Sequence, residues 1–141
     1  MTTGGCLCGN LKYSFDGEPV GVAICHCIPC RRTSNSTHST NLLVPAPAFH
    51  TTGAGTPKTW SRPGDSGKPV TSHFCPECGV LVWVKGEAMP GVLIVKAGTL
   101  DDLSLNETKY KPKAEIYCRN KFSWLPDVEG AAKFDGAMGA A

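Results

Sequence analysis

A mainly β, single-domain fold with a few short helical turns is predicted by three observations on this 141-residue chain. Its apolar residues fall in short alternating or β-branched runs of strand length. Gly 16 and Pro 11 punctuate those runs with turns. Apolar spacing of helical period is not sustained over any long stretch.

Taken in order, "NLKYSF" (10–15) alternates and sets Leu11, Tyr13 and Phe15 on one face. "VGVAI" (20–24) reads as a strand running into a cysteine cluster, and "STNLLVP" (39–45) as a strand closed by prolines. "VTSHF" (70–74) leads into a second cluster, and "VLVWV" (80–84) and "GVLIVKAG" (91–98) are buried-strand runs. "AEIYCRNKFSW" (114–124) reads as a strand followed by an irregular piece. The stretches 53–57 and 62–69 read as loops, and the intervals after Cys30 and Cys118 as single helical turns. The domain spans 1–126; the weakly patterned 127–141 reads as a flexible or loosely docked tail. Trp60, Trp83 and Trp124 read chiefly as core or core-edge aromatics, and His38, His50 and His73 as structural or surface residues.

A formal net charge of +2 gives no electrostatic footprint for nucleic acid. No apolar run is long enough for a membrane helix, and "MTTGGCLCG" lacks a leader's basic and apolar regions. A cytoplasmic or nuclear location is expected. In such a reducing compartment eight cysteines in clusters read as metal ligands before disulfides.

"FCPECG" (74–79) is a zinc knuckle: both sulfurs of C-x-x-C face one ion, and Gly79 permits the closing turn. Half a tetrahedral site needs two more ligands, and Cys6 and Cys8 of "GGCLCGN" supply them if that segment is extended. Cys6, Cys8, Cys75 and Cys78 would then form a closed structural site. "AICHCIPCRR" (23–32) brings Cys25, Cys27 and Cys30 together, with His26 turned to the opposite face as a hydrogen-bonded structural histidine. Three thiolates leave two outcomes: an exchangeable fourth place, as in catalytic zinc, or closure by Cys118, His73 or another side chain.

The order C-x-C, C-H-C-x-x-C-R-R, F-C-x-x-C-G, with "AGTLDD" (97–102) and "IYCRNKFSW" (116–124), resembles the glutathione-dependent formaldehyde-activating enzyme family, which includes centromere protein V-like proteins. The resemblance runs from about Gly4 to Pro126. It implies a zinc-stapled, Mss4-like β-sandwich with two zinc ions: a structural one on Cys6, Cys8, Cys75 and Cys78, and a catalytic one on Cys25, Cys27 and Cys30. It also implies a carbon–sulfur lyase or synthase, with glutathione as possible co-substrate and formaldehyde as aldehyde. Two positions depart from the pattern. Asn35 stands where the family has glycine, and Glu115 where it has histidine. Asn tolerates a left-handed backbone; a carboxylate at 115 changes charge and pKa where substrate binding or proton transfer is expected, so Glu115 joins the catalytic candidates. Cys118 lies outside the family pattern and reads as a buried structural thiol or an added group near the site.

Chemically, zinc on three thiolates holds an incoming thiol as thiolate, which adds to a small aldehyde. The oxygen of that aldehyde then needs a donor, and Arg31, Arg32, His26, Asn35 and Lys121 are the candidates. Arg31 and Arg32 are also placed to hold substrate carboxylates, Asn35 to shape the turn beside them, and Trp124 to line the pocket. Two alternatives stand: a glutathione-independent zinc lyase acting on an electrophilic metabolite with Glu115 moving protons, and a non-catalytic, zinc-stabilised protein-binding module whose second site is closed.

Overall fold

Alternation in "KYSF" produces the inner layer of a small sheet. β1 (Thr2–Gly5), β2 (Lys12–Phe15) and β5 (Phe49–Thr51) pair antiparallel in the order β1-β2-β5. Leu11, Tyr13 and Phe15 are buried together, as expected. The computed structural model describes residues 1–138.

The second sheet has eight strands. β3 (Gly21–Cys25), β4 (Ser39–Pro45), β6 (Lys58–Pro63), β7 (Pro69–Phe74), β8 (Leu81–Gly86), β9 (Val92–Lys96), β10 (Ala114–Ile116) and β11 (Ala132–Lys133) lie in the order β11-β10-β3-β4-β9-β8-β7-β6. Neighbours are antiparallel except β10, which runs parallel to both β3 and β11. One face packs on the small sheet: Val22, Leu42, Val95 and Trp83 meet Tyr13, Phe15 and Phe49, with the Phe49 and Trp83 rings 5.1 Å apart. Each such apolar side chain withdrawn from water contributes about 1.5–3 kcal/mol. The mainly β expectation holds, with one helix and short 3-10 turns.

Four details differ from the sequence reading. β6 was unforeseen because its residues are nearly all exposed, so no alternation marks it. α1 (Ile28–Ser34) starts before Cys30 rather than after it. Pro29 suits the first turn, and Cys27 caps it, its sulfur accepting the Cys30 amide at 3.4 Å. Cys6 and Cys8 converge through a tight turn between β1 and β2, not along an extended segment. The segment from Asp127, expected as a tail, contributes β11; Tyr117 N–H donates to Gly136 O and Cys118 N–H to Phe134 O. Parallel pairing to β10 satisfies backbone groups that a loose tail would leave to water. Residues 139–141 of that expected tail lie outside the described residues. Among the described residues no helix is long and apolar enough to cross a membrane.

A candidate metal centre of three cysteines beside a polar cleft

The knuckle at 75–78 closes by local hydrogen bonds. Gly79 N–H reaches Cys75 O at 2.8 Å with Gly79 at φ 77, a left-handed conformation that favours glycine. Cys6, Cys8, Cys75 and Cys78 bring their sulfurs within 4.8 Å of one another. The surrounding amides favour thiolate. Val80 N–H lowers Cys78 to about 6. Burial raises the Cys6 thiol, yet the Leu11 amide at 3.2 Å and the neighbouring sulfurs bring it below its usual range. Four converging sulfurs suit a closed tetrahedral ion.

Cys25, Cys27 and Cys30 form a second group, also within 4.8 Å. Strand β3 ends at Cys25 and the turn into α1 carries the other two. No fourth cysteine, histidine or acidic side chain joins them among the described residues. Cys118 is elsewhere, its Sγ directed at Glu115 O at 3.5 Å. His73 stacks on Trp83 at 4.8 Å. The three sulfurs share protons unequally: Cys25 and then Cys27 stabilise a Cys30 thiolate, lowering Cys30, while Cys25 is driven up by Cys27 and Cys30. Sulfur donors alone, with amide support, fit zinc or another thiophilic ion. Both clusters can hold metal ions.

Strand register decides what surrounds this group. Cys25 lies opposite Ser39, Ala23 opposite Asn41, and Asn41 opposite Lys96. These residues share the sheet face turned away from the main core. Asn41 Nδ2 donates to Ser39 Oγ at 3.0 Å, and Lys96 Nζ donates to Asn41 Oδ1 at 2.7 Å. Burial lowers the Lys96 pKa, and the sulfurs of Cys30, Cys25 and Cys27 oppose that fall. Ser39 and Lys96 also line a cleft of about 500 Å³ that extends to the end of α1 at Ser34 and Ser36 and to the knuckle at Gly79. No periodicity in the sequence signals Lys96, because only the β4–β9 register brings it here.

The opposite face carries a different network. Glu115 lies beside Ile24, not Cys25. Its carboxylate accepts from His26 Nε2 at 2.9 Å, Lys121 Nζ at 2.9 Å and Val128 N–H at 3.0 Å. His26 is 0% and Glu115 1% exposed. Glu115, expected to move protons, thus stands beside Ile24 with three protein donors on its carboxylate, on the other sheet face from Cys25. Burial raises its pKa, and the three donors more than reverse this, leaving it below the ordinary carboxylate value. His26 turns from its cysteine neighbours, as expected. Lys121 also pairs with Asp127 and is unavailable as an oxyanion donor.

The remaining candidates lie around the rim. Asn35 caps α1 at φ 49 and ψ 45, donating its N–H to Arg31 O; the left-handed turn forms without glycine. Arg31 donates to Asn120 O at 3.4 Å and lies 4.7 Å over the Phe122 ring. Arg32 is exposed and makes no ion pair among the described residues. Trp124 is 70% exposed and stacks on Phe122 at 5.5 Å, outside the cleft lining. Trp60 is likewise exposed, so only Trp83 is a core tryptophan. Tyr117, which the sequence reading did not single out, follows β10 at φ 55, strained for an aromatic residue. Burial, then Asp65, raises its hydroxyl to about 12.

Comparison with known proteins agrees with this architecture. A crystal structure of a Rhodobacter sphaeroides protein from a structural genomics programme superposes with TM-score 0.60 at 17% identity, covering 78% of this chain and 97% of that one. At that identity the likeness concerns the fold. No curated protein matches the sequence. The family described as glutathione-dependent formaldehyde-activating enzyme matches over residues 1–120, a span that contains both cysteine groups and Glu115. By that match, over most of its length, the chain belongs to the glutathione-dependent formaldehyde-activating enzyme family.

Proposed function

We propose that the protein is a zinc-dependent enzyme that forms and breaks a carbon–sulfur bond, adding a glutathione-like thiol to a small aldehyde such as formaldehyde. The observation that carries this reading is the group of three cysteines, joined by no fourth protein ligand among the described residues, beside a polar cleft. Bound by Cys25, Cys27 and Cys30, zinc supplies a place where an incoming thiol is held as thiolate at neutral pH. The chain's own residues supply the rest. Amide donation to Cys27 and the polar row beneath Cys25 hold the sulfurs in place. Arg32, exposed just after the last cysteine, is available to a carboxylate of the thiol substrate. Arg31 is held by Phe122 and Asn120 and braces α1 against the segment after β10. Cys6, Cys8, Cys75 and Cys78 are read as the structural site.

NMR exchange spectroscopy of glutathione and formaldehyde tests the reading with zinc-loaded protein. Interconversion with S-hydroxymethylglutathione should exceed the uncatalysed background, and Cys27→Ser should abolish the excess while the fold persists. Two bound zinc ions with no acceleration would exclude this chemistry.

A further inference from the structure

We propose that Lys96 is the group that binds the anionic oxygen of the carbonyl substrate, held for that purpose by Asn41 and Ser39. The inference rests on the thiol-addition reading above and names the donor which that reaction needs. Of the cations the sequence offered, Lys121 is committed to Glu115 and Asp127, and Arg31 to Phe122 and Asn120. Lys96 is the cation that shares a sheet face with Cys25 and also lines the cleft.

Its surroundings are incomplete for a half-buried ammonium. An ammonium has three N–H donors. One is used, on Asn41 Oδ1 at 2.7 Å, and among the described residues no carboxylate pairs with Lys96. The hydrogen bonds run in one direction. Asn41 Nδ2 is spent on Ser39 Oγ at 3.0 Å and Ala23 O at 3.3 Å, so only Oδ1 faces the ammonium. Asn41 and Ser39 are 4% and 5% exposed, so this support is rigid. An oriented cation with unused donors, close to the thiolates and facing a cleft, has the character of a preorganised oxyanion site.

The chemistry balances without an added reagent. The thiol loses its proton to solvent as it binds. A sulfur lone pair forms the C–S bond while the C=O π pair moves to oxygen. Lys96 hydrogen-bonds that oxygen and stays protonated, and water delivers the proton that completes the hydroxyl. One thiol and one aldehyde give one hemithioacetal, with no change of oxidation state.

The test uses the full chain with Lys96→Gln, Lys96→Met and Lys96→Arg, each checked by circular dichroism and metal content; Met needs no hydrogen-bond partner if Gln misfolds. Exchange between glutathione and formaldehyde should slow about 100-fold in the neutral variants and recover in part with Arg. A second readout does not need turnover: acetate is titrated into Co(II)-substituted protein while visible absorption is followed. Acetate should perturb the wild-type spectrum, bind at least about tenfold more weakly in the neutral variants, and bind near normally with Arg. Unchanged acetate binding or unchanged exchange in the neutral variants overturns the proposal. So does an acetate-silent wild type, or loss of metal from the three-cysteine site as the sole defect, which would make Lys96 a counter-charge only. If wild-type protein fails to accelerate exchange, the thiol-addition reading falls and acetate binding alone decides whether Lys96 receives an anionic oxygen.

Discussion

Glu115→Ala should unfold the protein far more readily than its single site suggests. The substitution removes an acceptor from three donors at once: His26 Nε2, Lys121 Nζ and the Val128 amide. A hydrogen bond to a charged group contributes about 1.5–3 kcal/mol, but the three are not additive. Lys121 keeps Asp127, whereas His26 is fully buried and has no second side-chain acceptor among the described residues. Breaking a buried pair in this way costs about 3–5 kcal/mol. Glu115→Gln keeps one acceptor oxygen for His26 and Lys121 but turns its amide toward the Val128 N–H, so about 1–3 kcal/mol is expected. The assay is urea unfolding of zinc-loaded protein, followed by circular dichroism and tryptophan fluorescence. With a slope near 2 kcal/mol per molar, Glu115→Ala should lower the midpoint by about 1.5–2.5 M. The sign with pH is also fixed. The folded pKa of Glu115 lies below the ordinary carboxylate value, so its contribution is complete above that ordinary value and disappears as pH falls through the depressed folded one. A midpoint shift under about 0.5 M, or an equal acid sensitivity in wild type and Glu115→Gln, would refute the assignment of Glu115 as a structural anchor.

Asn35 sits at φ 49, so Asn35→Gly should be neutral or slightly stabilising, whereas Asn35→Val should cost roughly 1–2 kcal/mol by thermal unfolding. Zinc binding to Cys25, Cys27 and Cys30 should release protons, because Cys25 is held above the usual thiol range in the metal-free state. Zinc affinity should therefore fall as pH is lowered; calorimetric titrations in buffers of different ionisation enthalpy would count the protons, and a release of zero would contradict the thiol assignment.

The sequence displayed whatever rests on local periodicity. Leu11, Tyr13 and Phe15 show the inner face of a strand, and "CPECG" shows a knuckle, because each needs only neighbouring residues. β6 escaped notice because both its faces are largely exposed, and β11 because "AAKF" gains its structure only from β10. Glu115 is a catalytic candidate by its family position alone; its pairing with His26 depends on strand register, which sets it beside Ile24 and not Cys25. Lys96 was invisible for the same reason in reverse, since its partner Asn41 is 55 residues away and only pairing of β4 with β9 joins them.

The parallel pairing of β10 with β3 carries a cost during synthesis. Cys8 and Cys75 are 67 positions apart, so the four-sulfur cluster can load metal once residue 78 has left the ribosome. His26 waits longer, for a carboxylate 89 positions away. At about 5–20 residues per second, a nascent chain spends roughly 2–8 s with its first staple closed and the outer edge of β3 still bare. That edge is an open template for another strand, so the interval between the first metal and the arrival of residue 116 is when a growing chain is most exposed to aggregation.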